Sequence, residues 1–342
     1  MKLKIFALVA LLLLPLSMDA QRKKKPVKKE KPAEEVVEDP RIAQMLASTQ
    51  QIVFIDSMVV DKQDFMSYIP LSPHMGKLKQ TDGLGSFTSE MGDHRLMTTD
   101  ESAIASTDFI GNHWTAPSPI KGIGSDPACN PFLMPDGITL YFAQKGEKSI
   151  GGYDIFVTRY DSEKAAFLRP ENLGMPFSSE SNDLFYGIDE FNQLGYFVTD
   201  RRQPHGKVCI YVFIPNEQRK VYRSEAYSDE QLRSLAAIRR IADTWKDKLQ
   251  RQEALKRFTT ARSAFAASEN SAQKSQGQSM LDSLRHEADV LEKTLTLTRN
   301  RYATATEGER VTLRISILSA EQQLENLQLE IRQREKQIPY HN

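Results

Sequence analysis

The stretch Asn130–Phe142 reads NPFLMPDGITLYF, and Gly151–Thr158 follows as GGYDIFVT. Asp136-Gly137 is a turn signal, because both residue types tolerate positive φ. Leu140-Tyr141-Phe142 leaves the turn as a short apolar strand. A Gly-rich loop then leads to a third strand, Ile155 to Val157. Short apolar runs separated by turn residues are the pattern of antiparallel β structure.

This layout recurs in both directions. Phe87 to Met97 has the same strand, turn and strand. Phe185 to Val198 repeats it, with Asp189 in the turn and Gly195–Val198 as the strand. Gly151–Thr158 is matched by Gly206–Phe213. A further element, Trp114, Pro117 and Ile120, is matched by Phe167, Pro170 and Leu173. One unit therefore runs strand, turn, strand, Gly-rich loop, strand and aromatic-Pro segment. Its period is about 45–55 residues, the length of a four-stranded propeller blade.

Residues 125–175 resemble the WD-like β-propeller repeats of the TolB type. The likeness lies in the Pro-Asp-Gly turn before Leu-Tyr-Phe and in Gly-Gly-Tyr-Asp-Ile-Phe. Residues 83–124 and 176–222 share it in part. The resemblance implies a blade-type fold and a place in periplasmic or outer-membrane-associated assemblies of the Bacteroidota envelope. The β half offers room for three to four blades, so the ring would need closing. Gln51 to Leu71, the helices or another chain could cover the open edges.

From Ser228 to Gln337 only Gly277 and Gly308 interrupt a Leu/Ala/Glu/Gln/Arg/Lys composition, which is helical. Ser228-Asp-Glu-Gln231 is a capping box. Leu232, Leu235, Ile238, Ile241, Trp245 and Leu249 then predict a helix to about Ala267. The polar run 268–278 reads as a loop. A second helix carries Leu281, Leu284, Ala288, Leu291, Leu295 and Tyr302. A third starts at the capping box Thr306–Glu309 and carries Leu313, Ile317, Ala320, Leu324, Leu327 and Ile331. The last two helices predict an antiparallel coiled-coil hairpin.

The amino terminus is of another kind. Lys2 and Lys4, an apolar run from Ile5 to Leu16 and Ser17–Ala20 have the three parts of a cleaved signal peptide. The run is too short to span a bilayer. An uncleaved anchor is the alternative, since basic residues follow. No Cys precedes Cys129, which argues against a lipid-anchored lipoprotein. Residues 22–39 pass from basic to acidic with no apolar periodicity, as a solvated tether does.

The expected architecture is multidomain β plus α. A signal peptide (1–20) and a disordered charged linker (21–42) precede a β-propeller-like repeat domain (43–222). An α-helical coiled-coil region (228–337) follows. The 342 residues are 40% hydrophobic and 26% charged, a globular composition. Lys+Arg and Asp+Glu are 45 each, so no net field draws the chain to nucleic acid.

Catalytic signals are sparse. Gly122-Ile-Gly124 opens no helix and Gly146–Gly152 lies in a blade turn, so no phosphate loop is present. His74, His94, His113 and His205 have no paired spacing. His94 with Asp93, or His113 with Asp108, would be half of an acid–base site; a solvent-facing histidine is the plainer reading. Asp82, Asp93, Asp136, Asp154 and Asp189 sit where turns use Asp, with calcium ligation as the alternative. Cys129 and Cys209 are either a disulfide or two free thiols. Tyr153, Tyr186 and Phe191 lie near blade loops, where they bind ligand or pack between blades.

No residue is assigned as catalytic, cofactor-binding or metal-ligating, and no cofactor is expected. The expected function is an exported, non-enzymatic binding or scaffold protein of the cell envelope. Its blade domain would hold a protein or envelope polymer, and its helices would dock a protein partner or a second copy. No transmembrane segment is expected in the mature chain. The alternative is a periplasmic hydrolase acting on glycan or peptide at a propeller face.

Overall fold

The computed structural model describes residues 39–337. The expected signal peptide and all but the last residues of the expected linker lie outside them. Helix α1 (Pro40–Ala47) comes first, then strand β1 (Val53–Asp61). The linker was expected to run to residue 42 and strands to begin at 43, and α1 corrects both. Asp39 caps α1 by accepting the Arg41 N–H, and Pro40 sits in the first turn, where its missing N–H costs nothing.

Three antiparallel sheets follow. The first holds β2 (Lys77–Thr81), β3 (Leu84–Thr88), β4 (His94–Thr98) and β5 (Ile104–Ile110). Short strands β6 (His113–Trp114) and β7 (Ser118–Pro119) both pair back on β5. The second holds β8 (Ala128–Leu133), β9 (Thr139–Gln144) and β10 (Asp154–Asp161). Here β11 (Ala166–Phe167) and β12 (Glu171–Asn172) pair back on β10. The third holds β13 (Asp183–Asp189), β14 (Leu194–Thr199) and β15 (Lys207–Ile214), with β1 as its outer strand.

The repeats read from sequence coincide with these strands. In the aromatic-Pro element the aromatic pairs across strands with a second aromatic. Trp114 opposes Phe109 and Phe167 opposes Tyr160, with ring centroids 5.4 and 5.3 Å apart. The proline that follows lacks an N–H, so the returning strand is split in two. Equivalent phenylalanines of the first repeat strands meet in one core. Phe87 lies 5.3 Å from Phe132, and Phe132 lies 5.9 Å from Phe185. Phe65 joins them at 6.3 Å from Phe185. The Gly151-Gly152 pair is needed for close approach. A Cβ at Gly151 would strike the Glu180 backbone, and one at Gly152 would strike Asn182 Oδ1.

The helical half departs from its expected division. The capping box at Ser228 is present, but helix α2 spans only Asp229–Ala236. Ile238 takes positive φ and is buried at 2% exposure. Arg201 and Arg202 donate to the carbonyls of Ala236, Ala237 and Ile238, taking the acceptors that another helical turn would have used. Beyond it, Thr244 Oγ1 accepts the Phe54 N–H, and Trp245 donates to the Phe54 carbonyl at 2.7 Å. These bonds cover part of the outer strand β1, an edge that otherwise invites pairing.

Helix α3 runs unbroken through Lys248–Thr304, 57 residues or about 85 Å. It passes straight through 268–278, where a loop was expected. Extending an existing helix is cheap, and that run holds only one glycine. Helix α4 (Glu307–Gln337) returns antiparallel. Arg285–Glu335 and Arg299–Glu321, both at 2.6 Å, fix the register of the expected hairpin. Among the described residues no helix is long and apolar enough to cross a membrane.

Arg201 ties the sheets to the helices. Its Nη2 donates to Asp183 Oδ1 at 2.7 Å and to the Pro176 carbonyl at 3.0 Å, and its Nε donates to Thr199. Both side chains of the Arg201–Asp183 pair are sealed from solvent. Arg201→Met should therefore destabilise the fold by about 3–5 kcal/mol in urea unfolding, because it strands a buried carboxylate. Adding Asp183→Leu should recover part of that loss. Equal midpoints for Arg201→Met and the parent would refute this role.

Candidate functional site: a basic groove over a buried carboxylate

Four segments meet around an open groove of about 620 Å³. Helix α1 brings Arg41 and Gln44. The loop after β9 brings Glu147 and Lys148. The segment around β12 brings Arg169, Asn172 and Gly174, and the chain after β15 brings Arg219. Four cations thus face one carboxylate. Arg41 is held on both sides, donating to the Asp39 carboxylate at 2.6–3.2 Å and to the Glu147 carbonyl. Lys148 spends one N–H on the Pro170 carbonyl at 3.2 Å. Arg169 and Arg219 are exposed and have no hydrogen bond or ion pair within the described residues. A guanidinium fork matches the oxygens of a carboxylate or phosphate, so two unpaired forks and one lysine suit an oxyanion-bearing group.

The floor of the groove is polar and rigid. Asn172 Nδ2 donates to the Lys148 carbonyl and to Asp154 Oδ2, at 3.1 and 2.8 Å. Asn172 Oδ1 accepts from Gly174 N and Ser178 Oγ. Asp154 begins β10 with no solvent exposure. Its Oδ2 also accepts the Ile150 N–H at 2.9 Å, while Oδ1 has no partner. Burial pushes the Asp154 carboxyl up to about 7, against the pull of those donors. Asp183, also sealed, is raised by burial as well, opposed by Arg201.

Of the residues singled out from sequence, Asp154 lies beneath this groove and the others fall elsewhere. His94 Nδ1 lies 2.6 Å from Asp108 Oδ1, so Asp108 partners His94 and not His113, while Asp93 accepts from Ser89. His74 pairs with Glu90 at 2.9 Å and lies 4.7 Å from the exposed Phe191 ring. Tyr186 is buried against Phe177 and Phe213, and Tyr153 packs beside it against the same core. Asp136 is a turn residue as read, accepting from Ile138 N, Thr139 N and Thr139 Oγ1. Asp189 does more than turn the chain. It is buried, and its Oδ2 accepts the Ser72 N–H, pinning the 62–76 loop. Cys129 and Cys209 are free thiols. Among the described residues no cluster of His, Cys, Asp or Glu has metal-ligand geometry.

The groove itself carries no motif. Its cations come from positions 41, 148, 169 and 219, and only the folded sheets bring them together. Comparison of the sequence with protein-family models and with curated proteins gives no match.

Asp154 makes stability depend on pH. The folded chain keeps this proton to about pH 7, whereas an unfolded carboxyl releases it near 3.8. Between those values the folded state binds more protons, so its stability falls as pH rises, by about 4 kcal/mol in all. The contribution is full at low pH and gone above about pH 7; Asp183 adds a slope of the same sign. Asp154→Asn should flatten the urea midpoint between pH 5 and pH 8 and raise it at the alkaline end. An unchanged slope would show that Asp154 is not the group responsible.

Proposed function

We propose that this chain is an exported, non-enzymatic binding and scaffold protein of the cell envelope. The β domain holds a ligand or protein, and the helical arm assembles it with a protein partner. The observation that carries this reading is the arm. The first turns of α3 bury Ala254, Phe258 and Ala261 in the β core, and Arg257 donates to the Asn192 carbonyl. Between 262 and 280 the described side chains are almost all exposed, and beyond that the helix packs on α4. A helix carried that far from the core, with a hairpin at its end, adds little to the stability of the β domain. It presents surface for something else.

Three further features support the reading. The amino-terminal segment has the three parts of a cleaved export signal, which favours a periplasmic or outer-membrane-associated site. Three successive antiparallel sheets of six, five and four strands, with β1 as the outer strand of the last, are compatible with a blade-type reading of the repeats. The balanced charge disfavours nucleic acid as partner. The basic groove would then take an anionic group of the envelope ligand.

The test is capture of partners by the tagged protein from gently solubilised envelope of its own organism, read by mass spectrometry. The expected result is a stoichiometric protein partner that is lost when Leu284→Asp and Leu295→Asp unzip the α3–α4 seam. These leucines are buried in that seam at 8% and 3% exposure. Arg169→Glu with Arg219→Glu should leave that partner in place and remove any anionic ligand. Absence of any partner would sink the scaffold reading.

A further inference from the structure

Helix α4 has two apolar faces. Leu313, Ile317, Ala320, Leu324, Leu327 and Ile331 form the seam with α3, and each is only half-buried. On the other side Val311, Ile315, Leu318 and Leu329 are 64%, 66%, 56% and 48% exposed. At about 100° per residue this second stripe lies roughly 160° round from the seam. Positions 311, 315, 318, 322, 325 and 329 alternate steps of four and three, the spacing of a coiled-coil face. Gln322 and Glu325 are its polar members. Nothing among the described residues covers it.

Charge selects the occupant. Along one side of the stripe lie Arg314 and, over the Tyr302 ring, Arg310 towards the start of the helix, then Glu321 further on, with Glu325 in the stripe itself. In a parallel copy this side would face the partner's opposite side, where Thr312, Ser319 and Asn326 leave Arg314 and Glu321 without a countercharge. An antiparallel copy sets each arginine beside a glutamate, and two-fold symmetry makes every such contact twice. Arg314 and Glu325 have no ion pair within the described residues. Glu321 is bound to Arg299 through Oε1 and stays 39% exposed, open to a second cation.

We propose that the outer face of α4 is a self-association surface, filled by α4 of a second copy running antiparallel. A crossing centred between Ser316 and Ile317 sets Ile315 opposite the partner's Leu318 and Val311 opposite the partner's Gln322. The same register runs Arg314 beside the partner's Glu321 and Arg310 beside the partner's Glu325. Two hairpins then make a four-helix arrangement, burying the stripe that one hairpin cannot. With three aliphatic side chains per copy at its centre, the contact is weak and concentration-dependent. The proposal rests on the reading of the arm as an assembly element and names a second copy as one of its partners.

The experiment is light scattering on the purified chain from ~1 to ~200 µM, where the mass should rise from one copy to two. Ile315→Asp with Leu318→Asp should hold the mass at one copy, weakening association by at least ~100-fold. Circular dichroism should show its helix content unchanged, since both positions are solvent-facing. Arg310→Glu and Glu325→Arg should each weaken the dimer, and the two together should restore it. A one-copy mass at every concentration overturns the proposal, as does a two-copy mass that survives Ile315→Asp with Leu318→Asp. Failure of the charge exchange to restore association overturns the antiparallel register. A one-copy chain that still captures its envelope partner overturns the dimer alone and leaves the scaffold reading standing.

Discussion

A buried guanidinium, Arg201, holds the sheets and the helices of this protein together. A charge sealed from water must find its compensation within the fold, and a guanidinium cannot shed its proton to escape that requirement. Arg201 meets it with the Asp183 carboxylate, the Thr199 hydroxyl and the carbonyls of Pro176 and Ala236. Those acceptors come from two strands, one loop and the end of α2. None can move far without leaving a donor unmatched. The pair therefore decides where α2 stops and on which strand it docks.

The constraint propagates outward. With its end held by Arg201 and Arg202, α2 presents Leu232, Leu235 and Ala236 to Leu46 of α1, with Met175 and Tyr222 completing the cluster. Packing there orients α1 and so places Arg41 at the lip of the basic groove. Asn172 supports the floor of that groove from the other side through Asp154, whose unfavourable burial is tolerated by accepting two donors on one oxygen. The groove and the arm thus share a foundation in the third sheet and its attached helices.

Local signals made much of this legible in the sequence, and long-range ones hid the rest. Asp136-Gly137 needs only its own next three residues to form its turn. The two capping boxes at Ser228 and Thr306 are equally local, and Glu309 does accept from Thr306. The aromatic-Pro element was visible because each repeat solves the same pairing problem. By contrast, Ile238 and Trp245 keep helical spacing yet lie outside any α-helix. Their carbonyl and ring partners, Arg202 and Phe54, are far away in the chain. Asp154 resembles a turn aspartate by context and is a buried acceptor by position. The run 268–278 is polar enough for a loop, and composition alone does not separate a loop from a solvent-exposed helix.

That exposed helix carries the last structural consequence. Its two ends are fixed by different neighbours, Phe258 by the β core and Arg285 by Glu335 of α4. The span between them is about 40 Å at 1.5 Å per residue. Each residue turns the helix by about 100°, so the number of residues between the two anchors sets the direction in which the hairpin faces. A polar segment whose described side chains bond only within the helix is therefore not free to vary in length. Its sequence is weakly constrained, because any good helix former serves there, while its residue count determines where the outer face of α4 points. This is the reverse of a flexible linker, in which length is tolerated and direction is lost.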